Sequence, residues 1–128
     1  MRDGKHVILY IDDDPDFLDS MRAILEANGY EMAEAATAEQ GLKVYQETQP
    51  DLIIVDLMME EVDAGANFVK ELRALGNRAP VYMLSSVGNA MSSNIDTRQL
   101  GLAGVFQKPV DSDALLSVLR SKLKGRGN

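Results

Sequence analysis

The chain has 128 residues, which suits one domain with enough apolar content to bury a core. It carries 20 acidic and 13 basic residues, for a formal net charge of −7, and this acidity argues against direct nucleic-acid binding. The absence of cysteine excludes disulfides and thiolate metal sites and is compatible with a cytoplasmic location. No apolar run is long enough to span a membrane, and residues 1–6 are too polar for a signal peptide, so we expect no membrane association.

Five short runs of residues are predicted to be strands. In chain order they are about His6–Asp12, Glu31–Ala36, Leu52–Leu57, Val81–Ser85 and Gly104–Lys108. The second run is short and half polar, which is typical of an edge strand.

A helical pattern follows each predicted strand. Asp14 is the expected N-cap of the first helix, with Pro15 at its first position, and residues 37–40 have the form of a capping box that opens the second. Residues 86–101 predict a marginal fourth helix, and Asp111 or Ser112 is expected to cap the fifth. The side chains expected to face the core from the other helices are Phe17, Met21, Ile24 and Leu25, then Leu42 and Tyr45, then Phe68, Val69, Leu72 and Leu75, and finally Leu115, Val118 and Leu119.

Five strand–helix units with short turns predict an α/β fold, in which helices cover both faces of a parallel sheet. For five strands the leading candidate is the doubly wound, flavodoxin-like order 2-1-3-4-5. Its switch point lies between strands one and three. Ligands bind at this point, beyond the carboxyl ends of the strands.

Polar side chains stand at the carboxyl ends of four predicted strands. Asp12 and Asp13 follow the first strand, Asp56 the third, Ser85 the fourth and Lys108 the fifth. Carboxylates this close repel by up to about 4 kcal/mol per pair at an effective dielectric near 20, so a cation is expected among them. Carboxylate oxygens suit Mg²⁺, and a hydroxyl and an ammonium suit a phosphoryl group. A central carboxylate can act as the nucleophile, which indicates phosphoryl transfer to an aspartate.

Four motifs in order resemble the receiver domain of two-component response regulators, and in particular its stand-alone, chemotaxis-regulator-like form. They are Ile11-Asp12-Asp13-Asp14-Pro15, Asp56-Leu57-Met58-Met59, Leu84-Ser85-Ser86 and Lys108-Pro109. The resemblance extends from His6 to Leu123. It implies that Asp56 accepts a phosphoryl group from a histidine kinase or a phosphotransfer protein. Lys108 would pair with this group and Ser85 would hydrogen-bond it.

The same resemblance implies a metal site. Asp13, Asp56 and the backbone carbonyl of Met58 would bind Mg²⁺ directly, and Asp12 would contribute through water. Mn²⁺ is expected to substitute. No cofactor besides the metal is implied.

The sequence departs from the family pattern at two places, one in the loop beside the metal site and one in predicted strand five. Glu60 stands where the family usually has proline, so the loop with the third metal ligand is expected to be remodelled. Val105 stands where the family usually has an aromatic switch residue, and Phe106 would point to the other face of the sheet. Met58 and Val87 are apolar at the positions two past Asp56 and Ser85, which predicts slow autodephosphorylation.

We therefore expect a signalling module over residues 1–124, with a frayed tail at 125–128 and no output domain. It would catalyse only its own phosphorylation and slow dephosphorylation, and it would dock a downstream protein on predicted helix four, strand five and helix five. One alternative is an aspartate-nucleophile phosphatase of the haloacid-dehalogenase type, because Asp12-x-Asp14 superficially fits its opening motif. Another is a pseudo-receiver that binds partners without phosphorylation, which Glu60 and Val105 leave open.

Overall fold

The computed structural model of the protein describes residues 5–56, 64–86, 103–108 and 111–123. Their strands are β1 (Val7–Ile11), β2 (Glu31–Ala35), β3 (Leu52–Asp56), β4 (Val81–Ser86) and β5 (Gly104–Lys108), and their helices are α1 (Pro15–Ala27), α2 (Ala38–Thr48), α3 (Ala64–Ala74) and α4 (Ser112–Leu123). Helix α4 is the fifth of the predicted helices, because the segment predicted as the fourth lies outside the described residues. The strand bounds agree with the predicted ones to within one residue at each end.

The five strands form one parallel sheet in the order β2-β1-β3-β4-β5. This confirms the flavodoxin-like topology and places β2 at an edge, as its half-polar sequence predicted. Strands β1 and β3 lie at the centre, and every residue in them is buried. Their almost wholly apolar sequences follow from this position, since both faces of a central parallel strand are covered by helices.

Two apolar clusters lie on opposite faces of the sheet. On one face, α1 and α4 pack against side chains that include Tyr10, Ile54 and Tyr82. On the other face, α2 and α3 pack against the alternate residues of the same strands. Most of the predicted inward positions of the helices belong to these clusters, and Leu18 of α1 is a buried member that the sequence analysis did not include.

The prediction that Leu75 faces the core is wrong. Its side chain is 47% exposed, whereas Leu72, one turn earlier, is 1% exposed. The reason is that α3 ends at Ala74 and the chain then turns through Gly76, whose φ is +84°. The apolar stripe was therefore extended past the last residue that the helix can present to the sheet.

Side-chain caps fix where the helices begin. Asp14 accepts a hydrogen bond from the backbone N of Asp16 at 2.9 Å, which confirms it as the cap of α1. Asp111, and not Ser112, caps α4 by accepting from the N of Asp113 at 3.1 Å. The cap at Asp14 holds the short turn from β1 to α1 beside the acids at the end of β1.

The capping box of α2 is present with one change. Thr37 accepts from the backbone N of Gln40 at 3.0 Å, as predicted. The side chain of Gln40 reaches back to the N of Ala36 at 2.9 Å, one residue before the position that a capping box would use.

Candidate functional site

The carboxyl ends of the strands bring the predicted site residues to one edge of the sheet. Asp56 is the last residue of β3 and lies opposite Leu84 of β4, so Ser85 is the next residue beyond it. Lys108 ends β5 opposite Ser86. The side chains of Ser85 and Lys108 lie outside what the structure describes, as does all of Met58, so the roles predicted for these three residues stay predictions.

Three carboxylates form a cluster at this edge. Asp12, Asp13 and Asp56 can each place one oxygen so that all three oxygens lie within 4.8 Å of one another. Asp12 is 0% exposed and Asp56 is 2% exposed, while Asp13 is open to solvent. At an effective dielectric near 20, a pair of charges at such a distance repels by about 3 kcal/mol. The chemistry of the donors, all hard oxygens, fits a divalent cation such as Mg²⁺.

Asp12 is held by its neighbours on both of its oxygens. Oδ2 accepts a hydrogen bond from the hydroxyl of Tyr10, and Oδ1 accepts one from the backbone N of Asp14 at 2.9 Å. The backbone N of Asp12 itself donates to the carbonyl of Ala35 at 3.1 Å. These contacts fix the orientation of the most deeply buried acid of the cluster.

Tyr10 is the residue of this site that the sequence analysis missed. Its side chain is fully buried, and burial raises the pKa of the phenol, with the hydrogen bond to Asp12 raising it further. The phenol therefore keeps its proton and acts as a donor. A signal was present in the sequence, because Tyr10 carries the only polar side-chain atom in the run Val7–Ile11 that leads to the acids.

Strand β5 has the arrangement of aromatic side chains that its sequence predicted. Val105 is 37% exposed, and the ring of Phe106 packs on the opposite face against Tyr82, with ring centroids 5.2 Å apart. The position expected to carry a switch aromatic thus holds an exposed aliphatic side chain.

No helix within the described part of the chain is both long and apolar enough to cross a membrane. This finding agrees with the absence of an apolar run of that length in the sequence.

Comparison with known proteins identifies the family. Residues 8–120 match the family model of the response regulator receiver domain. The chain is 34% identical over 119 residues to the chemotaxis protein CheY of Bacillus subtilis, covering 92% of this chain and 98% of that one. It is 32% identical over 117 residues to the transcriptional regulatory protein GlrR of Escherichia coli, covering 91% of this chain but only 26% of that protein.

Solved structures give the same result for the fold. A CheY-like response regulator receiver domain protein from Methanospirillum hungatei superposes with a TM-score of 0.83 at 28% identity. The match covers 96% of this chain and 97% of that one. The chain belongs to the family of response regulator receiver domains of two-component systems.

Proposed function

We propose that this chain is a phosphorylation-activated signalling receiver that accepts a phosphoryl group on Asp56 in a Mg²⁺-dependent reaction. Receiver domains of response regulators take this group from histidine kinases or phosphotransfer proteins, and we assign such a donor here. The observation that carries the proposal is the cluster of Asp12, Asp13 and Asp56, whose oxygens lie within 4.8 Å of one another at the carboxyl edge of the sheet. Repulsion within the cluster favours binding of a cation. Asp56 ends β3, which lies between β1 and β4 in the sheet.

In the proposed reaction a carboxylate oxygen of Asp56 forms a bond to phosphorus, while the bond from phosphorus to the donor's histidine nitrogen breaks. The nitrogen keeps the electron pair of that bond and later takes a proton. Asp13, Asp56 and the carbonyl of Met58 would hold the Mg²⁺, which supplies positive charge against the transferring group.

Other residues of the chain would support the transfer. Asp12 is already held by two hydrogen bonds, which suits an acid that contributes to metal binding through water. Lys108 at the end of β5 would pair with the phosphoryl oxygens. Ser85, one residue past the position opposite Asp56, would donate a hydrogen bond to them.

We assign the output to docking of a downstream protein on the surface of residues 86–101, β5 and α4. The exposed Val105 of β5 lies on this surface. The site residues would act on no separate substrate, so the module would catalyse only its own phosphorylation and dephosphorylation. We also propose a cytoplasmic location, since that is where kinases of this type would meet the domain.

The phosphatase alternative is not favoured by the surroundings of Asp14. That reading needs Asp14 as a second acid of the motif Asp12-x-Asp14. In the structure its side chain instead accepts from the backbone N of Asp16 and caps α1.

The proposal is tested by incubating the protein with acetyl phosphate and Mg²⁺ and measuring the intact mass. We expect a stable increase of one phosphoryl group that Asp56→Asn abolishes. Asp19→Asn, a matched change at an exposed position of α1, is expected to keep it. Continuous phosphate release from phosphomonoesters would support the phosphatase instead. No response to acetyl phosphate or to beryllofluoride would support the pseudo-receiver.

The apolar side chains of Met58 and Val87 predict a long-lived phosphoryl group, because neither can orient an attacking water. We expect a half-life of minutes or longer in Mg²⁺, measured by intact mass after the phosphodonor is removed. Met58→Asn supplies a polar side chain and is expected to shorten the half-life by about tenfold. A half-life of only seconds in the unmodified sequence would contradict this prediction.

A further inference from the structure

Tyr10 is a buried polar group that the proposed function does not use. It is the fourth of the five residues of β1, its ring lies inside the apolar cluster formed with α1 and α4, and it is 0% exposed. Its hydroxyl is directed at the metal-site edge of the sheet, where it donates to Oδ2 of Asp12. A buried phenol whose hydroxyl contacts a member of the carboxylate cluster is placed to act on that cluster.

The hydrogen bond has a defined direction. The carboxylate oxygen of Asp12 can only accept in this contact, so the hydroxyl of Tyr10 is the donor and the positive end of its O–H dipole faces Asp12. The other carboxylate oxygen of Asp12 accepts from the backbone N of Asp14. Two donors therefore withdraw part of the charge of Asp12 before any cation arrives.

We propose that Tyr10 is a positioning residue that lowers the affinity of the carboxylate cluster for its divalent cation. This inference rests on the proposed metal site. The hydroxyl and a cation both compensate the negative charge of Asp12, so each reduces what the other gains by being present. The hydroxyl and the cation therefore weaken each other's interaction with Asp12, and removing the hydroxyl strengthens binding of the cation.

Two effects of opposite sign distinguish this role from a purely structural one. Tyr10→Phe is expected to bind Mg²⁺ about fivefold more tightly, at the lower end of typical couplings between sites. The same variant is expected to be less stable than the unmodified protein in EDTA, because a buried carboxylate has lost a donor. A packing defect alone would lower stability without tightening the metal site.

Tyr82→Phe is the matched control. Tyr82 belongs to the same apolar cluster and is 5% exposed, and burial alone raises the pKa of its phenol. Its ring packs on Phe106. We expect this variant to bind Mg²⁺ with the Kd of the unmodified protein.

The experiment is calorimetric titration of MgCl₂ into the unmodified protein, Tyr10→Phe and Tyr82→Phe at one fixed pH, with thermal unfolding in EDTA. A tighter Kd confined to Tyr10→Phe supports the inference, and an equal or weaker Kd overturns it. If the unmodified protein binds no Mg²⁺, the metal part of the proposed function fails, and the inference fails with it.

A spectroscopic measurement decides the matter if Tyr10→Phe does not fold. The chain has four tyrosines and no tryptophan, so its near-ultraviolet absorption comes mainly from tyrosine. Mg²⁺ is expected to produce a saturable tyrosine difference band in the unmodified protein that Tyr82→Phe retains. Binding of Mg²⁺ without such a band would overturn the role of Tyr10.

Discussion

In the absence of divalent cations, Asp56→Asn is expected to be more stable than the unmodified protein by about 2 kcal/mol. The substitution keeps the size of the side chain and removes a charge that lies, nearly buried, within 4.8 Å of the oxygens of Asp12 and Asp13. Part of the repulsion is screened because Asp13 is exposed, so the expected gain is less than that of two unscreened pairs. Urea unfolding in EDTA measures the gain as a higher midpoint at an unchanged slope.

Mg²⁺ should stabilise the unmodified protein more than Asp56→Asn. A cation that binds the folded state stabilises the unmodified protein in proportion to the logarithm of its concentration over Kd. Asp56→Asn has lost a ligand, so its midpoint should hardly move and the difference between the two proteins should shrink. Asp19→Asn makes the same charge change on the exposed surface of α1 and should leave stability within about 0.5 kcal/mol. A destabilised Asp56→Asn in EDTA would mean that contacts of the Asp56 carboxylate outweigh the repulsion.

The carboxylate cluster could be predicted because a parallel sheet places all strand ends of one kind at one edge. Asp12, Asp13 and Asp56 needed only correct strand assignments to be brought together. Tyr10 could not be predicted in the same way. Alternation along β1 assigns it to a covered face, and nothing in that pattern shows that its hydroxyl reaches an acid two residues further on.

Burial in the core could be predicted for residues that lie inside a strand or a helix. The central strands required apolar side chains on both faces, and the periodicity of α3 placed Phe68, Val69 and Leu72 correctly. It failed at Leu75 because a helical pattern does not contain the residue at which the helix stops. The turn at Gly76 is a left-handed backbone conformation, which glycine adopts without steric cost.

Leu72→Ala is expected to lower the free energy of unfolding by about 3 kcal/mol, because the side chain is fully buried and its removal leaves a cavity. That is a large share of the 5–15 kcal/mol that holds a typical domain together. Leu72 belongs to the cluster between the sheet, α2 and α3, and it is not one of the proposed site residues. Urea unfolding in EDTA would measure the loss without a contribution from metal binding.

Leu75→Ala is the matched control, since it makes the same chemical change three residues later. Its side chain is 47% exposed, so only part of it has contacts to lose, and we expect a change of about 0.5 kcal/mol. The sequence pattern alone predicts equal and large losses for the two variants. The structure predicts a difference of about sixfold, because one leucine is inside the helix–sheet interface and the other lies beyond the end of the helix. Equal losses would show that α3 continues to pack against the sheet past Ala74.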